Sequence, residues 1–251
     1  VAQWLGFPAA RCFQNMGQAR QAIQQALLSD EQDVCVQDYL NAPALIDATR
    51  LAGCRLRHYP HRDAEGAAWQ LRQSPHGLAV LVSEGLFEAD GHPAPLRTLA
   101  LVAERHQAHL LVDDMHAIGV CGESGGGSVE QAGLLPSAVT ALVISLEHAF
   151  GLQGAMVLAD DGLIEHLDHL ASARGLPRPA TAVAAAALVS VQLARRDQWR
   201  RQRLLELSQQ LHLRLRSHGI QTATPHGPLQ CIDLDGSAEH WPAALIRRRA
   251  P

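Results

Sequence analysis

The sequence predicts an α/β fold built around a largely parallel sheet. Short apolar runs alternate with longer amphipathic runs along the chain, which is the pattern of repeated strand and helix units. Two of the apolar runs, Leu78–Ser83 and His109–Asp113, are almost continuously apolar, as expected of strands that helices cover on both faces. With 251 residues, of which 47% are hydrophobic, the chain can bury a large core.

The same periodicities predict the remaining elements. Further strands are expected over Asp33–Val36, Cys54–His58, Val139–Leu146, Gly154–Ala159 and Leu229–Leu234. Helices are expected over Ala42–Ala52, Asp63–Gln73, Pro95–Gln107, Asp161–Ala173 and Ala180–Ser217, the last with a break near Arg196 and Asp197. In the second half of that last stretch, leucines recur at helical spacing, namely Leu204, Leu207, Leu211 and Leu215.

The character of the sequence changes after about residue 160, where helical patterns replace the alternation of strands and helices. We therefore expect a large domain over residues 1–200 and the start of a small α/β C-terminal domain over residues 201–251. The glycine triplet 125–127 predicts a flexible turn. A phosphate-binding loop is not expected there, because no helix start with Lys followed by Ser or Thr comes after it.

The chain contains no lysine, since all 21 of its basic residues are arginine. Chemistry that needs a lysine amine, as a Schiff base or as a general base, is therefore excluded. The formal net charge of −4 gives no basic surplus, so a nucleic-acid partner is not expected. The single cationic run, Arg247–Arg249, lies at the C-terminal end and is interpreted as a frayed tail.

Cysteine and histidine usage indicates neither disulfides nor a metal site. The five cysteines lie far apart, are odd in number and form no C-x-x-C, as is typical of unpaired thiols in a reducing compartment. His58 and His61 have a conceivable metal-ligand spacing, but Pro60 stands between them and no third ligand is near, so a surface position is expected. Neither a secretion signal nor a membrane span is evident, which predicts a cytoplasmic protein.

The segment 110–122, LLVDDMHAIGVCG, carries the clearest chemical signal. Its buried strand would deliver Asp113 and Asp114 to the carboxyl edge of the sheet, where ligands of open α/β sheets bind, with His116 just beyond. In a pyridoxal phosphate (PLP) site, such a carboxylate pairs with the protonated pyridine nitrogen and the imidazole contacts the ring hydroxyl. A structural interpretation stays open, in which the two aspartates cap a turn and His116 is a hydrogen-bonded loop residue.

Four segments carry a more specific signal. They read DYLNAPALID (38–47), SEGLFEADG (83–91), VDDMHAIGVCGESGGGS (112–128) and SLEHAFGLQG (145–154). In this order they resemble the motifs of the α-oxoamine synthase family of fold-type I PLP enzymes, which includes 8-amino-7-oxononanoate synthase and serine palmitoyltransferase. The resemblance covers residues 1 to about 235 and has no counterpart for the family's N-terminal segment and much of its C-terminal domain.

The resemblance implies a three-layer, aspartate aminotransferase-like large domain with a mostly parallel sheet. It also implies PLP-dependent C-acyltransferase chemistry and a dimer with its active sites at the subunit interface. By resemblance, the cofactor-binding positions are Asp113, His116, Ser145, whose hydroxyl could contact a phosphate, and Ala42, which stands where the family has its ring-stacking histidine.

Several departures from the family pattern weaken this chemistry. The family's PLP-binding lysine falls on His148, which could act as a base near neutral pH but cannot form the Schiff base. The family's phosphate-cradling segment falls on residues 14–20, QNMGQAR, which lose its glycine–aromatic pair. The catalytic candidates that remain are His148 and His116, and PLP would be held non-covalently at most.

Three functional hypotheses follow from these observations. The first is a catalytically degenerate family member that acts as a non-catalytic or regulatory partner, in a homo- or heterodimer with an α-oxoamine synthase-like subunit. The second is an active acyltransferase that condenses an amino acid with an acyl thioester, using Asp113, His116 and His148 with PLP held non-covalently. The third is a decayed gene product without present activity.

Overall fold

The computed structural model describes residues 1–73 and 77–232 of the chain. Within them, seven strands form one sheet with the order β1-β7-β6-β5-β4-β2-β3. The strands are β1 Ala9–Phe13, β2 Val34–Asp38, β3 Arg55–Tyr59, β4 Ala79–Glu84, β5 His109–Asp113, β6 Ala141–Ser145 and β7 Ala155–Ala159. Strands β2 to β6 are mutually parallel, which confirms the predicted, mostly parallel sheet. Strand β7 runs antiparallel to both of its neighbours, β6 and β1.

Helices cover the sheet on both faces. They are α1 Ala2–Leu5, α2 Met16–Leu27, α3 Pro43–Ala52, α4 Ala64–Arg72, α5 Leu96–Arg105, α6 Ser128–Gln131, α7 Asp161–Ala173, α8 Thr181–Arg196 and α9 Gln198–Ser217, with a short 3-10 turn at Pro136–Ala138. One apolar core joins one face of the sheet to α2, α3 and α7, and a second joins the other face to α4 and α5. Adjacent residues of β5 divide between them, with Leu111 in the first core and Val112 in the second. The predicted three-layer α/β architecture is confirmed.

Most predicted elements appear within one or two residues of their expected bounds. The long helical stretch is broken at Asp197, as predicted, and becomes α8 and α9. The sequence patterns do not predict β1 or α2. In the proposed C-terminal strand, Ile232 forms only a single bridge to Thr222, and residues 233–234 lie outside the described residues. The run Arg247–Arg249 also lies outside them.

Helix α9 turns a polar face toward the rest of the chain. Its buried side chains are Arg201, Ser208 and His212. Three of the leucines with helical spacing, Leu204, Leu207 and Leu211, are instead exposed, and we call them the leucine stripe of α9. Whether the boundary of the large domain falls at residue 200 stays a prediction.

The glycine triplet forms a turn, as predicted, but one held by hydrogen bonds. The carboxylate of Glu130 accepts from the backbone N–H groups of Ser124 and Gly126. Gly127 adopts a φ of 88°, and a Cβ at this position would collide with the carboxylate of Asp114. The backbone of the turn therefore lies directly against Asp114, the residue after β5.

No helix in the described ranges 1–73 and 77–232 is both long enough and apolar enough to cross a bilayer.

We predict that Leu111→Ala lowers the free energy of unfolding by about 2–5 kcal/mol, because it leaves a cavity in a fully buried central strand. The matched control is Leu101→Ala on the exposed side of α5, where little apolar area is lost. Chemical denaturation of both variants measures the difference. Equal losses in the two variants would contradict the placement of β5 at the centre of the core.

Candidate functional site at the carboxyl edge of the sheet

Four carboxylates lie buried where neighbouring parallel strands end. Asp38 follows from β2, Glu84 from β4, and Asp113 and Asp114 from β5, and none is more than 2% exposed. The carboxyl ends of parallel strands share one edge, so the register of β4 and β5 places Glu84 opposite Asp113. A buried carboxylate is costly unless it is paired or hydrogen-bonded, so the partners of these groups define the site.

Asp113 is paired with a cation from the chain itself. The Nε of Arg20 in α2 donates to Asp113 Oδ2 at 2.6 Å, and both side chains are buried. Burial alone would lower the pKa of Arg20, but the charge of Asp113 and this hydrogen bond outweigh it and raise that pKa. The other oxygen of Asp113 accepts from the backbone N–H of Met115 at 3.2 Å, so the turn-capping interpretation of this residue is also satisfied.

Glu84 is held by backbone donors. Its carboxylate accepts from the N–H of Ala42, at the start of α3, and from the N–H of Glu88 at 2.8 Å. Burial nevertheless raises the pKa of Glu84 to about 7, with a further contribution from the charge of Asp113. The carboxyl group is therefore partly protonated at neutral pH.

Asp114 has a similar environment. It is fully buried, and its Oδ2 accepts from the N–H of Ser128 at 3.0 Å. Burial raises the pKa of Asp114 to about 7, partly offset by hydrogen bonding with Ser128 and increased by the charge of Asp113. Two neighbouring acids, Glu84 and Asp114, thus have pKa values of about 7.

The two candidate catalytic histidines are in contact. The rings of His116 and His148 stack with centroids 5.0 Å apart and an interplanar angle of 26°. Burial, and then the neighbouring His148, lower the pKa of His116, so His116 is neutral at pH 7. Its Nε2 lies 3.8 Å from a carboxylate oxygen of Glu88, beyond hydrogen-bond distance. His148 is exposed, whereas the side chain of His116 is largely buried.

Ser145 and Ala42 complete the set of positions proposed from the sequence. Ser145 ends β6 at the same edge, is fully buried, and its hydroxyl accepts from the N–H of Glu147 at 3.0 Å. Ala42 is buried at the start of α3, where it carries no ring and contributes only its backbone N–H to Glu84. The roles assigned by resemblance to these two residues stay predictions.

His58 and His61 do not converge. The ring of His58 packs edge-on against Tyr39, whereas His61 bridges Asp38 at 2.8 Å and Asp90 at 3.0 Å. His61 thus bonds the buried carboxylate of Asp38 and is not the surface residue expected from the sequence. In the part of the chain that the structure describes, no three His, Cys, Asp or Glu side chains are grouped as metal ligands.

Comparison with known proteins identifies the family of this chain. Residues 10–249 match the family described as aminotransferase class I and II. The chain belongs to this family. It is also 49% identical over 240 residues to the 8-amino-7-oxononanoate synthase of Xylella fastidiosa, and 49% identical over 238 residues to that of Xanthomonas oryzae pv. oryzae. These matches cover 93% and 92% of this chain but only 59% of each relative.

Solved structures of the family share the fold. A serine palmitoyltransferase from S. paucimobilis with a bound PLP–myriocin aldimine superposes with a TM-score of 0.85, at 22% identity, over 94% of this chain and 61% of that one. An 8-amino-7-oxononanoate synthase from Francisella tularensis gives 0.85 at 24% identity, over 98% and 72%. These findings confirm the α-oxoamine synthase-like resemblance and its fold.

The residues present do not fit PLP held in the manner of a PLP transferase. A Schiff base needs a side-chain amine, and the sequence has none. The carboxylate that would face a pyridinium nitrogen, Asp113, already bonds the guanidinium of Arg20. The imidazole expected to face the ring, His116, is stacked on His148.

Sequence reasoning alone did not identify Arg20 or Glu84 as parts of this edge. A signal for Arg20 exists in retrospect, since it is the charged last residue of the QNMGQAR segment, which departs from the family pattern. A cation at that place needs a buried anion, and Asp113 is available 93 residues away.

We predict that stability falls as the pH rises through the raised pKa of Glu84. This carboxyl titrates near its ordinary value of 4.5 when unfolded and at about 7 when folded, so its stabilisation is complete below about 4.5 and is lost as the pH passes 7. Unfolding free energies measured by urea denaturation between pH 5 and pH 8 should therefore decline more steeply in the wild type than in Glu84→Gln.

Glu104→Gln, on the exposed side of α5, is the control and should keep the wild-type slope. Glu84→Gln loses one acceptor and should be less stable overall, so the comparison concerns the slope alone. Parallel curves for wild type and Glu84→Gln would show that Glu84 is ionised throughout this range.

Proposed function

We propose that this chain is a non-catalytic member of the α-oxoamine synthase-like group, which serves as a partner of a lysine-bearing subunit. The observation that carries the proposal is the buried ion pair between Arg20 and Asp113 in a chain without lysine. The identity of 49% to 8-amino-7-oxononanoate synthases supports a shared architecture. It is also the main argument against lost catalysis, so PLP binding has to be measured directly.

The ion pair opposes cofactor binding for an energetic reason. A pyridinium nitrogen could reach Asp113 only if Arg20 withdrew, and a buried guanidinium without its partner is strongly unfavourable, by about 3–5 kcal/mol in comparable cases. A ligand would have to recover this cost without covalent attachment. Non-covalent PLP would therefore bind weakly, which disfavours the acyltransferase alternative.

The partner role is supported by the exposed apolar surface of the C-terminal helices. The leucine stripe of α9 is exposed, and its three members follow one another at helical spacing on one side of the helix. An exposed apolar stripe of this kind is typical of protein contacts. By resemblance to a family of dimers, the lysine-bearing subunit is the expected contact.

We predict that PLP titrated into the wild-type protein gives no saturable absorbance change at concentrations well above cellular PLP. Arg20→Asn frees Asp113 and should give weak binding, whereas Arg20→Asn combined with His148→Lys should also give an imine absorbance that borohydride fixes. His148→Lys alone should remain poor because Asp113 stays paired. Absorbance spectroscopy and mass spectrometry measure these outcomes.

Arg105→Asn, an exposed arginine in the last turn of α5, before β5 begins, is the matched control and should behave as wild type. Tight PLP binding by the wild type that is lost in Asp113→Asn would overturn the proposal. Such a result would restore the enzymatic alternative with a non-covalently held cofactor.

We further predict that a tagged form of the chain, expressed at native level, co-purifies with a lysine-bearing α-oxoamine synthase-like protein. Leu207→Glu with Leu211→Glu should abolish this association, because charged groups replace the leucine stripe. Gln209→Glu, an exposed position on another face of α9, is the control. If the lysine-bearing protein is absent from the purified material, the partner role is refuted.

A further inference from the structure

A second site lies between the edge strand β1 and helix α8. It is a cavity of about 430 Å³, within the size range of small-molecule sites. Its apolar wall comes from α8, β7 and the end of β6, and its members include Val183, Ala187, Val191, Met156 and Leu146. Arg11, Asp168 and Arg178 line the same cavity. We call it the β1–α8 cavity.

The guanidinium of Arg11 is unusual because it is buried yet incompletely paired. The side chain is 4% exposed, and its Nε has no hydrogen-bond partner. Asp168 pairs with Arg11 but is shared, since it also bonds Arg178 at 2.9 Å. Burial and the neighbouring Arg178 lower the pKa of Arg11. Two guanidinium groups thus share one carboxylate, which leaves one formal positive charge in the cavity.

We propose that the β1–α8 cavity binds an aliphatic monocarboxylate, with its carboxylate at Arg11 and its alkyl chain along the apolar wall. A planar carboxylate matches the donor geometry of a guanidinium and supplies the missing negative charge. Free phosphate would leave the apolar wall in contact with water, and an alkyl amine would add to the positive charge. The inference is independent of the proposed function, since it uses neither Asp113 nor the histidine pair.

Calorimetric titration of the full chain with hexanoate, octanoate and decanoate tests the proposal. Affinity should rise about fourfold per methylene group while the chain fits the cavity. Decanoate should bind at least tenfold more tightly than decan-1-ol, which has the same chain without the charge. No binding of decanoate, or equal binding of the acid and the alcohol, would overturn the proposal.

Two variants separate the charged end from the apolar wall. Arg11→Met should weaken decanoate at least tenfold and leave decan-1-ol almost unchanged, whereas Ala187→Phe fills the cavity and should weaken both. Arg97→Met, in a different surface cavity of the chain, is the control and should change neither. Circular dichroism checks folding. If Arg11→Met does not fold, the acid-to-alcohol ratio in the wild type and the effect of Ala187→Phe decide, and wild-type affinity in Ala187→Phe would refute the site.

Discussion

The ion pair between Arg20 and Asp113 sets the electrostatics of the whole carboxyl edge. Asp113 is the buried acid there that meets a full opposite charge, while Glu84 and Asp114 rely on backbone N–H groups. The charge of Asp113 contributes to the raised pKa of both neighbours, and Arg20 partly counteracts it at Glu84. The charge of Asp113 therefore adds to the effect of burial, which is the larger cause of the raised pKa at both neighbours.

Each buried acid of this edge bonds with groups of the chain itself. Asp38 uses His61 and two backbone donors, Leu40 and Arg62, and so follows the same rule of internal compensation. A family that binds an aromatic cofactor here needs an edge with charge left over for the ligand. In this chain Asp113 is already paired with Arg20, which lies on α2, far away in sequence.

Much of the fold could be predicted from the sequence because it follows local rules. Continuous apolar runs identified β4 and β5, and helical spacing together with the Arg196-Asp197 break located α8 and α9. The antiparallel direction of β7 could not be predicted from the sequence, because a buried apolar strand has the same residue pattern in parallel and antiparallel pairing. Strand β1 could not be predicted because it is short and contains a charged residue, Arg11. The buried side chain of Arg11 pairs with Asp168, a contact that the local sequence does not show. Helix α2 has an apolar face comparable to that of α3, so its periodicity could have been predicted.

The site could be predicted in part for the same reason. Asp113 and His116 are found from one strand and the turn after it, and their motif context is local. The partners that decide the chemistry are not local: Arg20 reaches Asp113 across 93 residues, and His116, after β5, meets His148, after the neighbouring strand β6. Sequence spacing cannot reveal such contacts in a single chain. The outward leucine stripe of α9 shows the same limit, because periodicity identifies an apolar face without saying what covers it.

The antiparallel pairing of β1 with β7 has a consequence for how the chain assembles. Ala9 pairs with Ala159, so the pairing of β1 with β7 can form only after a strand 150 residues further along the chain has been synthesised. Closing so large a loop is entropically costly, and contacts of long sequence separation slow folding. The strands from β2 to β6 can associate earlier, through shorter crossovers. Helix α2 follows β1 directly and packs against β6 and β7, so we expect the pairing of Arg20 with Asp113 to form only after these late strands are in place.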